Sequence, residues 1–237
     1  MNKGMMKYHL LVLFREPLNL FFGLALPFIM MFAFTNLNED AIATLNVNLA
    51  AWILVTAMVL CFMDAAFSHA YSRQTKFLRT LRMTPLTTKR YIVTGIFSRI
   101  GILLVFAVAL IGTAVVAFDL PLDAGNLAVF AGFLLFAFIM FYLIAMFVAN
   151  ALKGAKPSQS LLYVAFFGML LIGFWIPLQV LPQVMQDVLG FLPSISAWRV
   201  LQAAWSGESV FAGHYLITMG VYTLVFGVLS VKFFKYE

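Results

Sequence analysis

Few residues in this 237-residue sequence stand where they could do chemistry. Asp64 and Arg99 are ionisable side chains set within or at the edge of apolar runs, Asp64 being the main candidate. An acid in such a setting is a candidate for function or for a buried partner. Asp64 either reaches water at shallow depth, pairs with Arg73, Arg79 or Arg99, or serves the protein's activity. Arg99 has two readings of the same kind: a part in the activity, or a long side chain snorkelling to the cytoplasmic interface. Pro27 and Pro177 lie inside apolar runs, where each can kink its helix and turn freed carbonyls toward a cavity. Catalytic patterns are otherwise missing. The sequence has no H-E-x-x-H for a metalloprotease, no paired carboxylates for a lipid transferase and no G-x-S-x-G nucleophile turn. His9, His69 and His214 are scattered without ligand spacing. Gly154-Ala155-Lys156-Pro157-Ser158 lacks the P-loop pattern, so ATP hydrolysis by this chain alone is not expected. Cys61, the single cysteine, reads as a small buried hydrophobe.

The elements that must position these residues follow from composition. Hydrophobic residues make up 64% of the chain and charged residues 10%. Soluble domains average roughly 45–50% and about 25%. Mean hydropathy is +1.01. Too little polar surface exists to cover a soluble globule, and disorder is equally excluded. The apolar runs are long and do not alternate, which favours membrane-spanning helices over a barrel. Six runs are long enough: Leu18–Thr35, Leu49–Phe67, Ile92–Phe118, Leu127–Ala149, Ser160–Leu181 and Tyr215–Phe234. Residues 1–237 thus read as a single transmembrane domain, all-α.

Charge placement orients the spans. With six spans, Lys3, Lys7, Arg15, the seven basic residues from Arg73 to Arg99, Lys153, Lys156, Lys232 and Lys235 share one side. That is fourteen of the fifteen basic residues; Arg199 alone falls opposite. Glu39, Asp40, Asp119, Asp123, Asp187 and Glu208 also lie in the opposite set of breaks. The positive-inside rule places both termini in the cytoplasm. The net charge of +6 is therefore a topology signal, and no nucleic-acid partner is expected.

Three segments flank the spans. Lys3–Arg15 is amphipathic, with Met6, Leu10, Leu13 and Phe14 on one face, and suits an interfacial helix ended by Pro17. Val184–Leu192 and Ile195–Trp205 are apolar, separated by Pro193 and too short to span, as in re-entrant helices. Trp198 and Trp205 suit the aromatic belt. The break between the second and third spans is the densest in charge. Ala70 to Leu81 can form a short helix with Ala70, Gln74, Phe77, Leu78 and Leu81 on one face and Arg73, Lys76 and Arg79 off it. Such a helix lies on anionic lipid or enters the groove of a cytoplasmic partner.

Phe14-Arg15-Glu16-Pro17 before the first span is similar to an R-x-P entry. Leu81-Arg82-Met83-Thr84-Pro85-Leu86 resembles an L-R-x-T-P-L segment after the second. With Leu192-Pro193 and Ser196-Ala197-Trp198 before the sixth span, the chain resembles the membrane subunit of ATP-binding cassette (ABC) transporters of the type-2 permease family, over nearly its whole length. The resemblance implies a plasma (inner) membrane exporter subunit for drugs, lipids, peptides or glycan precursors. It also implies pairing with a second permease subunit, as homodimer or heterodimer, and with a cytoplasmic ATPase subunit that binds ATP and Mg. No cofactor is expected in this chain. The helix near Tyr71–Met83 would be the coupling helix, with Tyr71, Arg73, Lys76, Phe77, Arg79 and Arg82 facing the ATPase. The short break Asn36–Asn48 lacks the large extracellular domain of some relatives, which argues against a lipoprotein or large-peptide role. Competing readings are a small lipid-modifying enzyme, opposed by the missing catalytic residues, and an ion-coupled secondary transporter, opposed by the missing inverted repeat.

Overall fold

Asp40 starts the central helix of the protein. Its carboxylate accepts from the Ala43 N–H at 2.9 Å, capping α2 (Ala41–Val59). The computed structural model describes residues 21–37, 40–75, 88–152, 154–171, 182–211 and 213–234. The amphipathic segment Lys3–Arg15, the two entry motifs, Lys76, Phe77, Arg79, Arg82 and Pro177 lie outside them. All regular elements among the described residues are helices.

A π turn, Phe21–Ala25, leads into α1 (Leu26–Leu37), with buried Pro27 as the second residue of the α-helix. Proline has no N–H to give the preceding turn, so the switch from π to α geometry falls where the ladder is already interrupted. α2 continues through a π segment, Leu60–Ala66, into α3 (Phe67–Gln74); together they form one helix of 34 residues. After these come α4 (Thr88–Phe118), α5 (Ala124–Ala151), α6 (Ala155–Leu170), the short α7 (Gln183–Leu189), α8 (Pro193–Ser206) and α9 (Tyr215–Lys232). Four helices are long and apolar enough to cross a membrane: Ala41–Gln74, Arg90–Phe118, Ala124–Ala151 and Tyr215–Lys232. α1 and α6 overlap the first and fifth expected spans but are shorter than a membrane crossing needs among the described residues.

The helix Ala41–Gln74 outruns the expected span of 49–67 at both ends. At its start, Thr44 and Asn48 send their side chains back to the carbonyls of Asp40 and Thr44, so polar residues sit in the helix without breaking it. The difference between the two ranges marks where the helix is enclosed. Every residue from Leu49 to Phe67 is buried by neighbouring helices. A surface apolar all round except at Thr56 and Asp64 suits such a central position. By contrast α4 exposes Phe97, Val105, Val108 and Val116, and α9 exposes Ile217, Leu224 and Val228. These outer faces suit lipid. α5 packs against α9, α8, the π segment and α6, while α2 packs against α1, α8 and α4.

The helices run up and down. α2, α5 and α9 share one direction, and α1, α4 and α6 the other. Trp205 at the end of α8 donates its indole N–H to Asn46 at the start of α2 (3.3 Å) and sets its ring edge on Phe130 near the start of α5 (5.3 Å). Phe234, after α9, packs on His69 in α3 and Tyr91 in α4. One end of the bundle therefore carries Asp40, Asp119, Asp123 and Glu208, and the other Arg73, Arg90, Lys156 and Lys232. The charge segregation expected from the sequence exists in three dimensions within the described residues. Trp205 is buried and ties three helices together at this end of the bundle.

The two apolar stretches expected before the last span are helices, α7 and α8, with Pro193 at the first position of α8. α8 ends at Gly207, whose φ of 73° lets the chain reverse, and the Glu208 N–H returns to the Ala203 carbonyl at 2.9 Å. A Cβ on Gly207 would also come within 2.8 Å of the Asn126 amide. Gly207→Ala should therefore destabilise the bundle by about 1–3 kcal/mol, read as a lowered thermal midpoint of the purified protein in detergent.

Candidate functional site

The π segment places Asp64 on the inner side of the central helix, and α4 brings Arg99 to meet it. Arg99 Nε donates to Asp64 Oδ2 at 2.5 Å, and both residues are 2% exposed. Arg99 Nη1 also donates to the Gly95 carbonyl one turn earlier, at 3.3 Å. Gly95 is small for a second reason: a Cβ there would collide with the hydroxyl of buried Tyr142 on α5. Arg99 and Tyr142 thus share the space between α4 and the core. Of the alternatives open for Asp64, the partner is Arg99, not Arg73, and the residue does not reach water at the edge of a span. The snorkelling reading of Arg99 is corrected by the same contact. The nearest opposite charge lies inside the bundle, and a buried carboxylate without a cation would cost more than an arginine gains at an interface. The second carboxylate oxygen of Asp64 is buried without a hydrogen-bond partner among the described residues. Cys61, one turn before Asp64, is buried, with Sγ 3.5 Å from the Phe138 carbonyl.

A second polar group closes the basic end. His69 Nε2 lies 3.2 Å from Asn150 Oδ1, and His69 Nδ1 lies 3.3 Å from the Tyr91 hydroxyl. Asn150 Nδ2 donates to the Met146 carbonyl at 2.7 Å, which leaves its Oδ1 to accept. This assigns the proton to His69 Nε2 and leaves Nδ1 to accept from Tyr91. Arg73 donates from Nη1 to the Ala149 carbonyl at 2.8 Å and from Nη2 to the Leu152 carbonyl at 3.3 Å. The last carbonyls of a helix have no partner within it, and a cation placed there also meets the negative end of the helix dipole. Arg73 is therefore the C-terminal cap of α5.

This changes the reading of the segment from Ala70 to Leu81. Its described part, through Gln74, continues the central helix and is not a separate element. Ala70 and Arg73 are buried, while Gln74 is exposed. The helix phase is set by the span before it, so Arg73 rotates inward and Gln74 outward, the reverse of the expected faces. Tyr71 is 59% exposed on the same turn and remains open to a partner. His69, Tyr91 and Asn150 were not singled out by sequence as a group. Gaps of 22 and 81 residues separate them, and only the polarity of Asn150 at the end of an apolar run hinted at a role.

The arrangement joins the central helix, α4 and α5 at two depths, by an ion pair and by a histidine-centred clamp. Neutralising one member tests the first. Asp64→Asn, which strands the Arg99 charge, should cost about 3–5 kcal/mol, and the double substitution Asp64→Leu with Arg99→Met should recover most of it. Thermal unfolding in detergent of the three proteins reads the difference.

The sequence model described as "ABC-2 type transporter" matches residues 3–204. No curated protein matches the chain. The match runs from before the first described helix into the last turn of α8 and takes in both polar groups. A helical bundle with four membrane-length apolar helices, charges segregated to its two ends and that match together place this chain in the ABC-2 type transporter family, as a transporter membrane component.

Proposed function

We propose that the chain is the permease subunit of an ATP-driven exporter. Residues 1–237 act as one permease domain of six spans in the plasma membrane, with both termini in the cytoplasm. It works beside a second permease subunit. ATP and Mg bind to a separate cytoplasmic ATPase, and this chain holds no cofactor. Its cargo is hydrophobic or amphipathic: a drug, lipid, peptide or glycan precursor.

One observation carries the coupling part of this reading. The connection between α3 and α4 is anchored on both sides by the clamp at the basic end. Arg73 and His69 fix the helix that enters it, to the last turn of α5. Tyr91 fixes the helix that leaves it, through His69. A force that reaches Gln74 or the start of α4 is therefore passed to the end of α5. Tyr71, Lys76, Phe77, Arg79 and Arg82 are the docking residues. Arg73 belongs to the clamp, because its guanidinium is occupied inside the bundle.

The test separates docking from folding. Lys76→Glu with Arg79→Glu should lower co-purification of the ATPase by about tenfold and abolish ATP-dependent transport, with thermal stability unchanged. Arg73→Gln should instead lower thermal stability. Transport by the permease reconstituted without an ATPase would refute the proposal.

A further inference from the structure

The acidic end of the bundle holds a cavity of about 340 Å³ between α8 and the start of α9. Arg199, Gln202, Ser206, Glu208 and Tyr215 are in its wall. Arg199 is the only basic residue expected on this side of the membrane. Its Nε is buried without a hydrogen-bond partner among the described residues. Its guanidinium is held 5.1 Å from the centroid of the Trp198 ring, which orients the charge without neutralising it.

Glu208 lines the same cavity, yet the ion pair among the described residues is the one between Arg99 and Asp64. The backbone holds Glu208 in place. Gly207 turns the chain back, and the Glu208 N–H is bonded to the Ala203 carbonyl, so Glu208 stays beside the last turn of α8 that carries Gln202 and Ser206. A cation and an anion thus line one wall, with hydroxyl and amide groups nearby. A simple anion entering here would gain Arg199 but meet Glu208, at the end of the molecule that also carries Asp119 and Asp123. A ligand with both charges satisfies both residues.

We propose that this cavity binds the zwitterionic headgroup of a membrane lipid, with its phosphate on Arg199 and its ammonium on Glu208. Arginine suits the phosphate because its planar fork offers several donors to the phosphate oxygens. A lipid is favoured over a free zwitterion by the surroundings. Val200, Val210 and the Tyr215 ring line the same cavity, and Phe211, next to Val210, is exposed, so apolar surface for acyl chains adjoins the polar wall. This site is separate from the clamp and the ion pair, and it does not depend on which cargo the protein moves.

Native mass spectrometry of the full-length, delipidated protein tests the proposal, with phosphatidylethanolamine and phosphatidylglycerol supplied in equal amounts. The unsubstituted protein should retain phosphatidylethanolamine in preference. Arg199→Gln should reduce that retention by about tenfold, with Arg199→Lys recovering part of it. Glu208→Gln should remove the preference over phosphatidylglycerol, because the ammonium loses its partner. Unfolding midpoints of all three variants within a few degrees of the parent show that the fold is kept, and the Arg199→Lys comparison still decides the matter if Arg199→Gln unfolds. Equal retention of the two lipids by the unsubstituted protein overturns the proposal, as does unchanged retention in both Arg199→Gln and Glu208→Gln. Phosphoethanolamine displacing the lipid at equal concentration overturns the lipid as occupant and assigns the cavity to a soluble zwitterion.

Discussion

A charged group inside a helical bundle must have its partner within the bundle. The contact between Asp64 and Arg99 meets that requirement, and several other features depend on it. The carboxylate is presented by a π segment, where the extra residue per turn shifts the direction of side chains relative to the helix before it. The guanidinium needs room, and Gly95 leaves that room while also admitting the Tyr142 hydroxyl. Neither charge is worth much as a net stabiliser, since desolvation offsets most of the attraction. The value of the pair lies in the penalty for any arrangement that separates it. It therefore adds to apolar packing a penalty for any shift of α4 along the central helix.

The clamp at the basic end applies the same rule to backbone atoms. The end of α5 has carbonyls without intrahelical partners, and Arg73 supplies the donors. His69 carries the connection onward to Asn150 and Tyr91, and the Phe234 ring packs on both aromatic side chains. Ends of four helices meet at one point, immediately beside the connection between α3 and α4. This rigid junction supports the coupling role proposed for that connection, since conformational signals travel through packed and hydrogen-bonded groups with few alternative arrangements.

Much of the fold was legible in the sequence, for a simple reason. Long apolar runs have few solutions in a membrane, so the helices Arg90–Phe118, Ala124–Ala151 and Tyr215–Lys232 lie close to the runs read from composition. Charge placement separated the two ends of the bundle because basic and acidic residues cluster in alternate breaks. The faces around Arg73 were not legible. A pattern read from Ala70 onward treats the segment as free to choose its own phase, whereas the helix inherits its phase from a span buried on all sides. The contacts of Trp205 were not legible for a related reason: the order of residues along the chain does not record that Asn46 and Phe130 meet it.

The sequence by itself determined that this is a helical membrane protein, the division of its charges and, through a match spread over residues 3–204, its family. These are properties of composition and order along the chain, and they survive any detailed arrangement of the helices. Only the tertiary structure decided that Asp64 belongs to Arg99, that His69 stands between Tyr91 and Asn150, and that Arg73 turns inward. Those partners come from different helices, and nothing in linear spacing records which helix faces which. Burial decides it, because a polar atom enclosed by the bundle must find its partner among the few groups that the packing brings within reach.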